Sequence, residues 1–119
     1  MLTRLIVLSL LIAAPALAQA PAAPVVPIAG DTMEKFSYSC VGNQTLQVVF
    51  VNTAGGSSFA VVLEEDEMIP MNLVPSASGA VYEPASTDYH YRLDTKGDTA
   101  HLYTTDGGKD TPVKTECKV

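Results

Sequence analysis

Leu46-Gln47-Val48-Val49-Phe50-Val51 is followed by the turn Asn52-Thr53-Ala54-Gly55-Gly56 and then by Ser58-Phe59-Ala60-Val61-Val62-Leu63. Two runs rich in β-branched and aromatic residues, separated by a Gly-containing turn, predict a β-hairpin. The same pattern of short apolar segments and turn residues continues on both sides of this hairpin. It predicts further strands at 36–40, 68–74, 80–82, 89–93, 100–104 and 111–117. The fold class is therefore expected to be all-β, an antiparallel meander of about eight strands that closes into a small barrel.

The N-terminal segment has the features of an export signal. Met1-Leu2-Thr3-Arg4 carries one cation, an apolar run covers 5–14, and Ala16-Leu17-Ala18 has small residues at the spacing of a cleavage site. This pattern predicts a signal peptide over 1–18, cleaved after Ala18, because the apolar run is too short to span a bilayer. No Cys lies near that site, so no membrane anchor is expected.

The predicted domain organisation has two parts after the signal peptide. Residues 19–34 are rich in Ala and Pro and show no hydrophobic period, which predicts a tether. The barrel domain is expected over 35–119.

The chain contains two cysteines, Cys40 and Cys117, which bracket nearly the whole predicted barrel. Export leads to an oxidising compartment, where such a pair is expected to form a disulfide. A disulfide closing a loop of this length would stabilise the fold by about 4 kcal/mol in the chain-entropy model. It would also join the first strand of the barrel to the last.

Composition argues against several classes of function. The formal net charge is −6, which disfavours nucleic-acid binding because that needs clustered Lys and Arg. The G-x-S-x-G pattern of hydrolases is absent, and His90 and His101 lie between apolar neighbours in predicted strands, so no nucleophile with an oriented base can be assembled. No enzyme activity, metal site or cofactor is expected. The acidic run 64–67 lacks the ligand pattern of a calcium loop and predicts a solvated hairpin turn.

Two turns remain as candidates for function. Ser76-Ala77-Ser78-Gly79 is a flexible polar loop, and Lys96-Gly97-Asp98 is a tight turn that carries one long cation. Each of them, taken singly, is typical of an ordinary solvated turn.

Taken together with the cysteines, the two loops resemble a known family. The pattern consists of Tyr38-Ser39-Cys40, Ser76-Ala77-Ser78-Gly79-Ala80-Val81-Tyr82, Lys96-Gly97-Asp98-Thr99-Ala100 and Cys117. These four elements, in this order, resemble the bacterial inhibitors of chicken-type (c-type) lysozyme, which occur in membrane-anchored and periplasmic forms. The absence of a lipid-anchoring Cys makes the soluble periplasmic branch the nearer one. Two departures stand beside the second loop, where Asp94 replaces a frequent Trp and the connector through 84–90 is longer than usual.

The resemblance implies an eight-stranded barrel whose two loops enter the active-site cleft of c-type lysozyme. Ser78 and Lys96 would bind the catalytic carboxyl groups, and Ser76, Ala77, Gly79, Gly97 and Asp98 would complete the two loops. Tyr82 would support the first loop from the barrel side. The acidic protein would attract a cationic lysozyme.

Two alternatives remain open at this point. One is a small barrel that binds an apolar ligand or an envelope component, and the other is an envelope protein that binds peptidoglycan. The sequence also leaves open whether the protein forms a homodimer, which c-type lysozymes it recognises, and whether the tether does more than act as a spacer.

Overall fold

The computed structural model describes residues 29–119. The eight strands are β1 Thr32–Cys40, β2 Gln44–Asn52, β3 Ser58–Glu64, β4 Glu67–Val74, β5 Ala80–Pro84, β6 Tyr91–Lys96, β7 Thr99–Thr104 and β8 Thr111–Lys118, with a 3-10 turn at Asp106–Gly108 before β8. The signal peptide predicted for 1–18 and most of the predicted tether lie outside the described residues. Within 29–119, no helix has the length and apolar character needed to cross a membrane.

The strands form a closed antiparallel barrel in which each strand pairs with the next along the chain. The seam that closes the barrel, between β1 and β8, is the shortest ladder, with Ser39 and Lys118 as its one backbone pair. The Val41 N–H adds a hydrogen bond to the Thr115 carbonyl at 3.1 Å. The Cys40–Cys117 disulfide crosses the same seam and brings the two Cα atoms to 3.9 Å. Both the eight-stranded barrel and its disulfide are thus confirmed.

The first strand begins earlier than the sequence pattern suggests. Residues 32–34 already pair with 50–52 of β2, so β1 reaches three residues into the segment predicted as a tether over 19–34. Just before β1, the Asp31 carboxylate accepts a hydrogen bond from the Ala54 N–H at 2.8 Å. This contact attaches the residue just before β1 to the turn between β2 and β3.

The core lies inside the barrel and follows from the alternation of side chains along each strand. The buried hydrophobic residues are Tyr38, Leu46, Val48, Ala60, Val62, Ile69, Met71, Tyr82, Leu93, Ala100, Leu102 and Cys117. An aromatic group extends this core, with ring centroids of Phe36 and Phe50 at 5.7 Å and of Phe50 and Tyr82 at 5.6 Å. The barrel is therefore filled by its own side chains.

The acidic run 64–67 differs from the solvated turn expected from the sequence. Glu65 and Asp66 form the exposed turn with positive φ angles of 49° and 64°, but Glu64 is only 7% exposed. Its Oε2 accepts a hydrogen bond from Lys114 Nζ at 2.5 Å. The prediction was wrong for Glu64 because its charge partner lies fifty positions away, on β8, where sequence pattern could not reveal it.

The predicted strand 89–93 is shifted in the structure, where β6 covers Tyr91–Lys96. Tyr89 and His90 precede β6, which begins at Tyr91. They end the long connector from β5, and Tyr89 packs against the core from outside the strand.

Candidate functional site

The two loops singled out in the sequence lie side by side. Residues 75–79 connect β4 to β5, and Gly97 with Asp98 connects β6 to β7. Alternate connections of an antiparallel meander lie at the same end, and β5 pairs directly with β6, placing Ala80 opposite Thr95. The Thr95 hydroxyl also donates a hydrogen bond to the Ala80 carbonyl at 3.2 Å. The structure therefore brings the predicted site residues of both loops onto one surface.

The first loop packs against the end of β6 at Gly79. Its φ is +67°, and a Cβ at this position would lie 2.3 Å from the Thr95 carbonyl oxygen and 3.3 Å from Lys96 Cβ. No side chain fits at such a distance from a backbone atom. Glycine is thus required here both for its backbone conformation and for the contact between the loops.

The hydroxyl groups of the first loop have different roles. Ser76 Oγ donates to the Ser78 carbonyl at 2.9 Å and accepts from the Ser78 N–H at 3.3 Å, which makes it part of the loop's own structure. Ser78 is exposed, and within residues 29–119 its hydroxyl takes part in none of the side-chain hydrogen bonds. Ala77 is exposed between them. Ser78 is therefore the serine whose hydroxyl is available to a partner.

The second loop presents Lys96 to solvent. The Lys96 side chain is exposed, and none of the three ion pairs within the described part of the chain includes it. Gly97 has φ +59°, and a Cβ added there would meet nothing within 4 Å, so this glycine serves the turn geometry. Asp98 accepts a hydrogen bond from the Thr99 hydroxyl at 3.3 Å, and its carbonyl accepts one from the Val119 N–H at 3.4 Å.

An open groove of about 440 Å³ lies beside the two loops. It is lined by Ser76, Ser78, Val81, Asp94, Thr95, Lys96, Thr99 and His101. Two of these lining residues, Ser76 and Ser78, belong to the first loop, and three, Thr95, Lys96 and Thr99, flank the Gly97-Asp98 turn. The remaining three, Val81, Asp94 and His101, form one row across β5, β6 and β7.

Tyr82 lies beneath this surface. It is only 4% exposed, and its hydroxyl lies 2.9 Å from Ser58 Oγ, which itself donates to Asn52 Oδ1 at 2.6 Å. This chain of hydrogen bonds ties β5 to the ends of β2 and β3. Its position in the barrel wall suits support of the first loop, and a burial of this degree leaves little of Tyr82 for a partner to touch.

The sequence reasoning missed an ionic cluster beside the groove. Arg92 donates from Nε to Asp94 Oδ1 at 2.8 Å and from Nη2 to Asp94 Oδ2 at 3.2 Å. Its Nη1 bonds the Asp110 carboxylate, and its guanidinium carbon lies 4.8 Å from the centroid of the Tyr103 ring. Hydrogen bonds to Asp94 and, next, to Asp110 raise the pKa of Arg92 above its usual range. The alternation of Arg92 and Asp94 on one strand face could have suggested their pairing, but Asp110 comes from a distant loop.

His101 stands next to this cluster on β7. Its Nδ1 accepts a hydrogen bond from the Glu116 N–H at 3.1 Å, and its ring stacks on Tyr103 with centroids 6.2 Å apart. In the region covered by the structure, no three His, Cys, Asp or Glu side chains are grouped so as to hold a metal ion.

Comparison with known proteins assigns the chain to a family. Residues 38–111 match the family described as "Membrane-bound lysozyme-inhibitor of c-type lysozyme". The chain belongs to this family. The matched region contains both loops, Gly79 and Cys40, while Cys117 lies beyond it.

A solved structure supports the same family assignment. The chain is similar to PliC-St, the periplasmic lysozyme inhibitor of C-type lysozyme from Salmonella typhimurium, with 42% sequence identity and a TM-score of 0.68. The similarity covers 74% of this chain and 98% of the Salmonella protein. A search of curated protein sequences gives no match. The resemblance drawn from the sequence is thus confirmed at the level of family and fold.

Proposed function

We propose that this protein inhibits c-type lysozyme by placing Ser78 and Lys96 against the catalytic carboxyl groups of the enzyme. The observation that carries the proposal is the contact of Gly79 with Thr95 of β6, the strand that carries Lys96. This contact places an exposed hydroxyl and an exposed ammonium beside one groove. Membership of the lysozyme-inhibitor family supports the choice of partner.

The chemistry of the two side chains fits the chemistry of the enzyme. Lysozyme cleaves its substrate with one carboxylic acid and one carboxylate on either side of the glycosidic bond. The Lys96 ammonium would pair with the carboxylate, and the Ser78 hydroxyl can donate to or accept from the carboxylic acid. A charge-assisted contact in a site shielded from water contributes about 1.5–3 kcal/mol, compared with less than about 1 kcal/mol for an exposed pair.

The other predicted site residues would act by shaping or supporting the loops. Ser76 holds the first loop through its two internal hydrogen bonds, and Gly97 provides the turn that carries Lys96. Ala77 and Asp98 lie exposed on the loop surfaces, where they would meet the rim of the cleft. The acidic net charge, which is −6 for the full chain, would accelerate association with a cationic lysozyme, and added salt would weaken this effect.

The N-terminal sequence and the similar Salmonella protein support a proposal about where the protein acts. A signal peptide over 1–18 would export the protein, and the similar Salmonella protein is periplasmic. We therefore propose a soluble periplasmic inhibitor that protects a Gram-negative bacterium against host lysozyme.

The deciding experiment measures lysozyme-driven lysis of cell-wall substrate, and the Kd by titration calorimetry, with purified residues 19–119. Wild type is expected to stop lysis at stoichiometric excess. Lys96→Ala and Ser78→Ala are each expected to weaken binding by roughly ten- to a hundredfold, as a charge-assisted contact of this size implies. Lys109→Ala and Ser37→Ala remove an exposed Lys and an exposed Ser outside the two loops and are expected to bind as wild type does.

The outcomes separate the parts of the proposal. Unimpeded lysis in the presence of excess wild type would refute the inhibitor function. Full inhibition by both loop variants would instead refute the two-loop mechanism and leave inhibition by another surface.

The alternative of an apolar ligand inside the barrel is not favoured by the described residues. Leu46, Ile69, Met71, Leu93 and Leu102 are each at most 1% exposed and fill the interior. Specific binding to peptidoglycan has no particular observation in its favour, and a pulldown on purified cell wall without lysozyme would test it.

A further inference from the structure

The outer face of β6 carries an acid between two cations. Side chains alternate along a strand, so Arg92, Asp94 and Lys96 all point to the same side. Asp94 can in principle pair with either neighbour, each two positions away. Which cation it binds decides whether the Lys96 ammonium is free for a partner.

In the structure Asp94 pairs with Arg92. Both of its carboxylate oxygens accept hydrogen bonds from the guanidinium, at 2.8 and 3.2 Å. Arg92 also forms an ion pair with Asp110, and its guanidinium carbon lies 4.8 Å from the centroid of the Tyr103 ring. The side chains of Arg92 and Asp94 are 24% and 34% exposed, so the pair is partly withdrawn from water. Within residues 29–119, Lys96 takes part in no ion pair.

We propose that Arg92 is a positioning residue of the lysozyme-binding site, which holds Asp94 and thereby keeps Lys96 free to bind a carboxylate of the partner. Without Arg92, Asp94 would be an unpaired carboxylate on the same strand face as Lys96. Any pair that it formed with Lys96 would have to break before the ammonium could enter the cleft. The effect of Arg92 on inhibition rests on the proposed function, whereas its effect on Lys96 in the free protein does not.

An arginine is better suited than a lysine to hold Asp94 away from Lys96. A guanidinium can bind Asp94 through two parallel hydrogen bonds and still bind Asp110 through a third nitrogen. These bonds raise the pKa of Arg92 further, so the guanidinium keeps its charge over the whole physiological pH range. Arg92 itself need not touch lysozyme.

The first experiment is a set of variants measured for lysozyme binding by calorimetry. Arg92→Gln is expected to raise Kd by about two- to fivefold, since a partly exposed competing pair contributes up to about 1 kcal/mol. The double variant Arg92→Gln/Asp94→Asn is expected to return to within about twofold of wild type. Asp94→Asn alone is expected to bind at least as tightly as wild type. If Arg92 acted only by stabilising the fold, removal of the Asp94 carboxylate would not restore lysozyme binding.

The second experiment uses the protein without lysozyme. Competitive acetylation with trace acetic anhydride, followed by peptide mass spectrometry, compares the reaction rate of Lys96 with that of the exposed Lys109. Arg92→Gln is expected to lower the relative rate at Lys96 about twofold or more, because an ion-paired ammonium loses its proton less readily. Asp94→Asn in the same chain is expected to restore it. Arg92→Lys keeps the charge but cannot form the bidentate hydrogen bonds of the guanidinium. Its relative acetylation rate at Lys96 is expected to fall between those of wild type and Arg92→Gln.

The two experiments distinguish failure of this inference from failure of the proposed function. Wild-type inhibition of lysozyme together with unchanged Lys96 labelling and no rescue would overturn the role of Arg92. The expected labelling pattern in a protein that does not inhibit lysozyme would support the arrangement of charges and refute the inhibitor function. Circular dichroism and the unfolding midpoint of each variant identify any loss of the barrel, in which case Arg92→Lys provides the test.

Discussion

Gly79 packs directly on the backbone of Thr95, so that a Cβ at position 79 would lie 2.3 Å from the Thr95 carbonyl oxygen. This contact joins the first loop to the strand that carries Lys96. The two loops therefore behave as one surface, whose shape depends on the absence of a side chain at a single position.

Gly79→Ala is expected to separate the two loops. A methyl group cannot be accommodated against a backbone oxygen at 2.3 Å, so the loop must move, and lysozyme binding should weaken by roughly tenfold or more, about 1.4 kcal/mol. The positive φ adds a cost of about 1–2 kcal/mol to the free energy of folding. Calorimetry with lysozyme and urea unfolding measure the two effects.

Gly42→Ala is the matched control for this prediction. Gly42 has φ +77° but nothing within 4 Å of its Cβ position, so it shares the conformational cost and not the clash. It should lose a similar amount of stability and retain wild-type binding. Equal binding losses in both variants would show that the contact between the loops is unimportant.

Removal of the disulfide is expected to open the barrel at its weakest seam. The β1–β8 ladder has one backbone pair, and the Cys40–Cys117 bond closes a loop of sequence separation 77. Cys40→Ala/Cys117→Ala should lower the free energy of unfolding by about 4 kcal/mol, measured by urea denaturation. Wild type under reducing conditions should behave like the variant, and a difference of less than about 1 kcal/mol from oxidised wild type would contradict the prediction.

The ion pair between Lys114 and Glu64 is expected to stabilise the fold mainly by avoiding a buried unpaired charge. Lys114→Met leaves the 7% exposed Glu64 without its partner at 2.5 Å, which should cost about 3 kcal/mol at neutral pH. The double variant Lys114→Met/Glu64→Gln should recover much of that loss, because no charge remains buried. Additive losses in the double variant would argue that packing, and not charge, is responsible.

Alkaline pH is expected to destabilise the barrel through its buried tyrosines. Burial, and to a lesser extent Tyr82, raises the pKa of Tyr38 above the ordinary value of 10.0. The folded state thus holds this proton more tightly than the unfolded state, so the stabilising contribution is complete below pH 10 and is lost as pH rises through the folded pKa. Urea unfolding at about pH 8 and about pH 11 should show a smaller loss of stability in Tyr38→Phe than in wild type. An identical loss in both would assign the decline to other groups, such as Tyr91, whose pKa burial also raises.

Much of the fold was predictable because its determinants are local. The alternation of apolar residues in stretches such as 46–51 and 58–63, with turn residues between them, predicts the strands and their order. Errors occurred where local pattern and tertiary pairing differ. Residues 32–34 lack a clear apolar alternation but pair with β2, and Glu64 looks like part of a solvated turn but binds Lys114 inside the protein.

The sequence by itself determined the all-β class, the cysteine bracket and the two loop motifs, since each depends on residue types at fixed spacing. Only the tertiary structure decided that Ser76 Oγ bonds within its loop, whereas the Ser78 hydroxyl has no hydrogen-bond partner within residues 29–119. It also decided that Gly79 packs on Thr95 and that Asp94 pairs with Arg92 and not with Lys96. These contacts depend on strand register and on partners such as Asp110, which the closed barrel brings close from distant positions in the sequence. No local sequence pattern encodes such distances.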